Sequence, residues 1–150
     1  MALAGHRSPL PTARAAALSL LHEVLGRRRP LDDVLEHHAA FGALEPRDRG
    51  FARLLVATTL RRLGQVDAAL GACLDKPLTP RARAAENVLR LGAVQILFLG
   101  TPAHAAVGET VALAQGPLGA YAGLINAVLR RLVRDAAALA EGDVRHNTPD

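Results

Sequence analysis

Aromatic side chains are almost missing from this sequence. Phe, Tyr and Trp together make up 3% of its 150 residues, and Trp is absent. Without a set of exposed rings the chain has no extended platform for stacking unpaired bases, and its core must be aliphatic. Half of the residues are hydrophobic, and Leu and Ala favour helices over strands. The composition therefore predicts an all-α fold, with one core in one domain at this length.

Cysteine is equally scarce, since Cys73 is the single one in the chain. One cysteine excludes an internal disulfide framework and a cysteine-based zinc site, and it favours a reducing cytoplasm. Cys73 lies among small and apolar residues, so we expect an inert, packed thiol. Residues 1–11 contain no apolar run of the kind that a secretory signal requires. The sequence therefore favours a cytoplasmic location.

Charge is nearly absent between Leu91 and Leu129, where Glu109 is the only charged residue. Glycine and proline interrupt this stretch at residues 100–102 and 116–117, so its pieces are shorter than the ~20 residues of a membrane span. They are predicted to be buried helices, and no membrane contact is expected. A lone carboxylate in such surroundings needs a partner. We expect Glu109 to pair with an arginine of a neighbouring helix, either Arg14 or Arg90.

Motifs for catalysis and for cofactor or metal binding are also missing. The sequence has no glycine-rich phosphate or dinucleotide loop. His37 and His38 are adjacent, so on a helix they point about 100° apart, which does not suit two ligands of one metal. Both are predicted to be solvated. We therefore expect no catalytic, cofactor-binding or metal-binding residue in these 150 residues, and any chemistry must belong to something attached to them.

Helix signals divide the rest of the chain. Apolar residues recur at helical spacing from Thr12 onward, after the N-cap signal Glu45-Pro46 and after the cap Thr79-Pro80. A short helix is predicted from Leu31, another from about Ala103 to Gln115, and a last one from Ala120 to about Leu139. Glycines inside helices cost stability unless two helices approach closely there. We therefore predict tight helix crossings at Gly92, Gly108 and Gly123.

Positive charge is what the sequence has in excess, with a net charge of +4 and a pI near 10.5. Arginine and alanine richness can reflect genomic codon bias as readily as a polyanion partner, so the placement of the arginines must decide. If the first and last helices pack side by side, the three arginine clusters at residues 7–14, 27–29 and 130–134 would form one surface that binds RNA phosphates. Such a surface would recognise the RNA by its shape and backbone rather than by its bases. The candidate RNA-binding residues are Arg7, Arg14, Arg27, Arg28, Arg29, Arg130, Arg131 and Arg134.

Two segments carry a resemblance to a known family. Residues 101–111, Thr-Pro-Ala-His-Ala-Ala-Val-Gly-Glu-Thr-Val, and residues 123–131, Gly-Leu-Ile-Asn-Ala-Val-Leu-Arg-Arg, resemble the NusB-like N-terminal domain of bacterial ribosomal RNA cytosine-C5 methyltransferases, the Sun or Fmu family. The likeness extends from about Thr12 to Arg134. It implies a fold of two small helical bundles packed together, and Arg14 aligns with a basic residue of the RNA-contacting first helix of NusB.

The resemblance also implies a role for the whole chain. It would be an RNA-binding accessory domain that positions ribosomal RNA for a separate catalytic domain, which uses S-adenosylmethionine and carries the catalytic cysteines. Residues 1–11 are then a flexible arm, 12–140 the helical domain, and 141–150 a truncated linker to the absent catalytic domain, which is itself an expected partner. Two alternatives stay open: a stand-alone antitermination factor of the NusB type that binds RNA and a ribosomal protein, and a protein-protein docking module.

Overall fold

The computed structural model describes residues 12–146, with side chains described for residues 12–139. Every regular element in this part of the chain is helical, which confirms the predicted all-α class. Two 3₁₀ segments, Ala82–Ala85 and Gly116–Tyr121, precede the sixth and eighth helices. The helices are α1 (Ala13–Arg27), α2 (Leu31–His37), α3 (Ala39–Gly42), α4 (Pro46–Arg61), α5 (Leu63–Ala72), α6 (Glu86–Leu97), α7 (Ala103–Val111) and α8 (Ala122–His146).

The ends of the helices follow local capping chemistry. Thr12 accepts a hydrogen bond from the Ala15 N–H at 3.0 Å, which caps α1. Pro46 occupies the first turn of α4 after the extended Glu45. Thr79 also accepts a backbone hydrogen bond, from the Ala82 N–H at 3.2 Å, but that bond opens the 3₁₀ segment. The prediction that Thr79-Pro80 starts α6 directly was therefore wrong.

Helix α6 is the centre of the fold. It packs against α1 and α4 on one side and against α5, α7 and α8 on the other, while α1–α4 also pack among themselves. Two small helical groups thus share α6 as their common contact, as expected from the two-bundle fold. Its buried residues are Val88, Leu89, Leu91, Gly92, Ala93, Val94 and Gln95. None of the described helices is both long and apolar enough to cross a membrane.

One of the three predicted glycine crossings is present. A Cβ atom on Gly92 would lie 2.6 Å from Leu129 Cδ1 and 3.1 Å from Thr110 Cγ2, so only glycine lets α8 and α7 approach α6 this closely. No atom lies within 4 Å of a Cβ built on Gly108 or on Gly123. The predictions for these two glycines were wrong, because the same local sequence signal occurs with and without a neighbouring helix.

A network around Arg90 fastens α5 to α6. The Arg90 side chain is 14% exposed and donates to the two carboxylate oxygens of Asp67 at 2.8 and 2.9 Å. It also bonds Asn87 at 2.9 Å and pairs with Glu86. Removing one partner of this largely buried guanidinium would leave a charge unpaired, so the network stabilises the packing of α5 on α6.

The prediction that Glu109 pairs with Arg14 or Arg90 was wrong. Arg90 is occupied by acids of α5 and α6. Glu109 is exposed on α7, and no ion pair to it is found among the described side chains. Water solvates the carboxylate, so the charge that stands out in an apolar sequence does not have to be neutralised by the fold.

Helix α8 continues to His146, beyond the predicted end near Leu139. The first part of the segment assigned to a linker, residues 141–146, is therefore helical. The arm at residues 1–11 lies outside the described residues, and the role of 141–150 as a connection to another domain stays a prediction.

We expect alanine to have opposite effects at two helical glycines. Gly92→Ala forces a methyl group against buried Leu129 and should lower the free energy of unfolding by about 1–2 kcal/mol, despite alanine's higher helix propensity. Gly108→Ala, the matched control in α7, adds a methyl group in open space and should raise it by about 0.5–1 kcal/mol. Urea unfolding measures both. Equal shifts in the two variants would contradict the close crossing.

Candidate functional site

Three consecutive arginines project from the C-terminal end of α1. Arg27, Arg28 and Arg29 are all exposed, and among the described side chains none of them forms an ion pair. Arg28 ends the helix in the left-handed conformation, with φ at 54°. Glycine would adopt this conformation without strain, whereas a side chain costs about 1 kcal/mol there. Arg28 therefore keeps a charged side chain at a position where glycine would make the protein more stable.

Arg14 lies near the other end of α1, about 20 Å from Arg27 along the helix. Its guanidinium stacks over the Phe51 ring of α4, with Cζ 5.1 Å from the ring centroid. Its Nε donates to Gln95 Oε1 of α6 at 2.9 Å. Burial lowers the pKa of Arg14 from its usual value, and the negative charge of Glu109 acts in the opposite direction. Arg14 is thus an oriented, half-buried cation rather than a freely solvated one.

A groove of about 720 Å³ opens beside Arg14, where α1, α4 and α7 meet. Its floor is largely apolar, with Leu18, Phe51 and Leu113. Two carboxylates, Asp48 from α4 and Glu109 from α7, line the same groove. Among the described lining residues one arginine thus stands beside two carboxylates, an arrangement that suits a ligand with both donors and acceptors better than a phosphate.

The three candidate arginines of α8 have different surroundings. Arg130 is exposed, donates to Asn126 Oδ1 at 3.1 Å and lines a groove of about 360 Å³ between α7 and α8. Arg134 is exposed. Arg131 is half-buried and lies 3.3 Å from Asp75 and 3.9 Å from Asp135. Its Nη1 also donates to the Cys73 carbonyl at 3.3 Å, so Arg131 serves the packing of α8 against the end of α5.

The expected side-by-side packing of the first and last helices is not found. Helix α1 packs mainly on α4, α2, α6 and α3, whereas α8 packs on α6, α7 and α5. The prediction of one continuous basic surface built by that packing was therefore wrong, because α6 lies between the two helices. The described candidates divide between the two ends of α1 and the outer faces of α8, and Arg7 lies outside the described residues.

The sequence interpretation missed the arginines of α4. Arg47, Arg53 and Arg61 are exposed on that helix, and Arg53 lies 3.5 Å from Asp32 of α2. Arg62, at the C-terminal end of α4, stacks over Phe98 with Cζ 4.9 Å from the ring centroid. The density of arginine between Pro46 and Arg62 exceeds that of the other helices in the sequence, but Arg47, Arg53 and Arg61 lie in ordinary helix and nothing in their geometry assigns them to RNA.

The reactive side chains are held in the packing. Cys73 is 6% exposed, and burial together with the neighbouring Asp135 raises the pKa of its thiol, which disfavours the nucleophilic thiolate. His37 is exposed, but the prediction of a solvated His38 was wrong. Its ring bonds Ser19 at 2.9 Å and accepts from the Phe41 N–H at 3.0 Å. Among the described residues no three metal-ligating side chains come together.

Comparison with known proteins gives consistent matches. Residues 11–134 match the NusB family. The chain is 38% identical over 135 residues to ribosomal RNA small subunit methyltransferase B of Vibrio vulnificus, covering 89% of the chain and 31% of that protein. The protein of the same name from Thermus thermophilus is 40% identical over 142 residues, covering 93% of the chain and 33% of that protein. The chain thus spans about a third of the length of these relatives, and over most of its own length it belongs to the NusB family.

Proposed function

We propose that this chain is the RNA-binding domain of a ribosomal RNA small subunit methyltransferase and that its arginines position the RNA. The observation that carries the proposal is the exposed, left-handed Arg28 between Arg27 and Arg29 at the end of α1. The names of the relatives supply the class of RNA. Solvated guanidiniums without acidic partners are suited to phosphate contacts, which release counterions and hold the RNA in register.

The other candidates contribute unequally to this proposal. Arg130 and Arg134 offer a second set of phosphate contacts on α8, and Arg7 would extend the first set from the N-terminal arm. Arg131 contributes least, because its guanidinium is already committed to Asp75 and Asp135. Arg14 contacts RNA from its groove rather than from an open surface.

Methyl transfer would then take place outside these residues. The relatives are methyltransferases about three times as long as this chain, so the proposed S-adenosylmethionine-dependent domain would follow it in a cytoplasmic parent enzyme. Family membership also fits a stand-alone antitermination factor, but the relatives' names and lengths favour the enzyme domain.

The first test removes the arginines at the end of α1. Changing Arg27, Arg28 and Arg29 together to Ala should weaken RNA binding and reduce the slope of log K against log salt by about 2–3, because about 0.7–0.9 counterions are released for each phosphate contact. Binding is measured by fluorescence anisotropy between ~50 and ~200 mM salt.

The matched control removes the same charge from α4. Arg47, Arg53 and Arg61 changed together to Ala alter the net charge equally, and the salt slope should change by less than about 1. If both triple variants reduce the slope equally, the end of α1 has no special role. If the unmodified chain binds RNA with no dependence on salt, the proposed function is wrong.

The second test separates stability from binding at one residue. Arg28→Gly relieves the left-handed strain and should raise the free energy of unfolding by about 0.5 kcal/mol, after allowance for glycine's freer unfolded chain. Arg27→Gly, one residue earlier and inside the helix, should lower it by up to about 1 kcal/mol. Both variants should weaken RNA binding similarly. A stabilised Arg28→Gly variant with full RNA affinity would contradict the assignment of Arg28.

A further inference from the structure

The groove beside Arg14 contains a cation that the core holds in one orientation. Gln95 is fully buried, at 0% exposure, and its Nε2 donates to the Leu91 carbonyl at 2.9 Å and to Thr110 Oγ1 at 3.0 Å. These bonds fix the amide so that its Oε1 accepts from Arg14 Nε. Phe51 supports the guanidinium from α4. Arg14 is therefore preorganised, and its binding edge loses little freedom when a ligand arrives.

The terminal nitrogens of Arg14 have no hydrogen-bond partner among the described residues. Among the described side chains only Nε has a hydrogen-bond partner. Because Arg14 lines the groove, its two planar Nη groups can donate hydrogen bonds to a ligand there.

The charge of the groove argues against a phosphate. Asp48 and Glu109 line it together with Arg14, and no other charged side chain is found among its described lining residues. With two carboxylates beside one guanidinium among the described lining residues, a neutral group that accepts from Arg14 and donates to a carboxylate satisfies both kinds of side chain better than a phosphate does. The edge of a nucleobase presents this combination, and arginine and carboxylate side chains are known readers of base edges.

The groove has room for the same ligand. Its volume of about 720 Å³ exceeds that of a single base, and the apolar lining residues Leu18 and Leu113 offer contact to a flat ring. A base inside a duplex is stacked and paired on its Watson–Crick edge, so only an unpaired base could enter.

We propose that the groove between α1, α4 and α7 binds one unpaired nucleobase of the RNA, with Arg14 donating to the base and the Glu109 carboxylate accepting from it. This inference rests on the proposed function, because it names the part of the RNA that one site takes. In this arrangement Arg14 contacts a base, and the arginines at the C-terminal end of α1 contact phosphates.

The first experiment compares two single arginines of the same helix. The probes are a mixed-sequence single-stranded RNA of about 12 nucleotides and the duplex of that strand with its complement. Arg14→Ala should weaken single-strand binding by roughly tenfold, leave the salt slope unchanged, and leave duplex binding unchanged. Because the variant also removes a partner of buried Gln95, its melting temperature is measured too, and unchanged duplex binding shows that the domain is still folded. Arg28→Ala, the matched control, should reduce the salt slope by about 1 on both probes. A reduced slope on both probes for Arg14→Ala would overturn the proposal.

The second experiment asks whether Glu109→Gln strengthens or weakens RNA binding. Glu109→Gln removes an exposed negative charge, so a phosphate in the groove would bind more tightly to the variant. A base that donates to the carboxylate would bind more weakly, by roughly threefold or more on the single strand. The melting temperature should not change, which separates the effect from misfolding. Tighter or equal binding overturns the base assignment.

The outcomes also separate this inference from the proposed function. If the unmodified chain binds neither probe, both fail. If it binds with a steep salt dependence that Arg28→Ala reduces, but Arg14→Ala acts like a lost phosphate contact, the proposed function stands and only the base site is wrong.

Discussion

The buried amide of Gln95 is the constraint on which the arrangement of three helices depends. An amide at 0% exposure that lacked partners would cost about 1–3 kcal/mol. Its partners come from α1, from the preceding turn of α6 and from α7, through Arg14, Leu91 and Thr110. Apolar packing around α6 is strong but not directional. This polar chain adds direction, because α1 and α7 can slide on α6 only by breaking it.

The same constraint connects the core to the surface. Arg14 ends the chain of bonds that begins at Thr110, and its guanidinium is where the core meets the groove. A helix packed only by alanine and leucine could not hold a long side chain still, since arginine loses up to about 2 kcal/mol of rotamer entropy when it is fixed. The hydrogen bond to Gln95 and the contact with Phe51 offset that loss. Orientation of the cation is thus a property of tertiary packing.

Sequence patterns predicted what is local and failed on what is tertiary. The start of the first helix near Thr12 and the apolar composition of α6 depend on near neighbours in the chain, and both predictions were correct. Arg14 and Gln95 are 81 positions apart, and no spacing rule links them. Glu109 was predicted to be paired because charge is scarce around it, yet scarcity along the chain does not say which face of α7 carries the residue. Solvent exposure decides that, and it follows from where α7 lies.

The glycines and arginines show the same division. Gly92 and Gly108 carry the same local cost in a helix, and the close approach of Leu129 and Thr110 to Gly92 distinguishes them. Arg130 and Arg131 are neighbours in sequence, but α8 turns one toward solvent and the other toward Asp75. A positive net charge could not separate these roles. Their partners in space do, and this explains why the clusters seen in the sequence did not merge into one surface.

The arginines have different roles because their surroundings differ. Arg90 and Arg131 are bonded to acids and hold helices together, so replacing them changes stability first. Arg27, Arg28 and Arg29 touch no acid among the described side chains and lie beyond the last packed turn of α1. Replacing them leaves the core intact. A domain built in this way can vary the contacts proposed for RNA at helix ends without disturbing α6, because most of the side chains that fold it differ from those proposed to bind RNA. Arg14 and Arg131 belong to both sets.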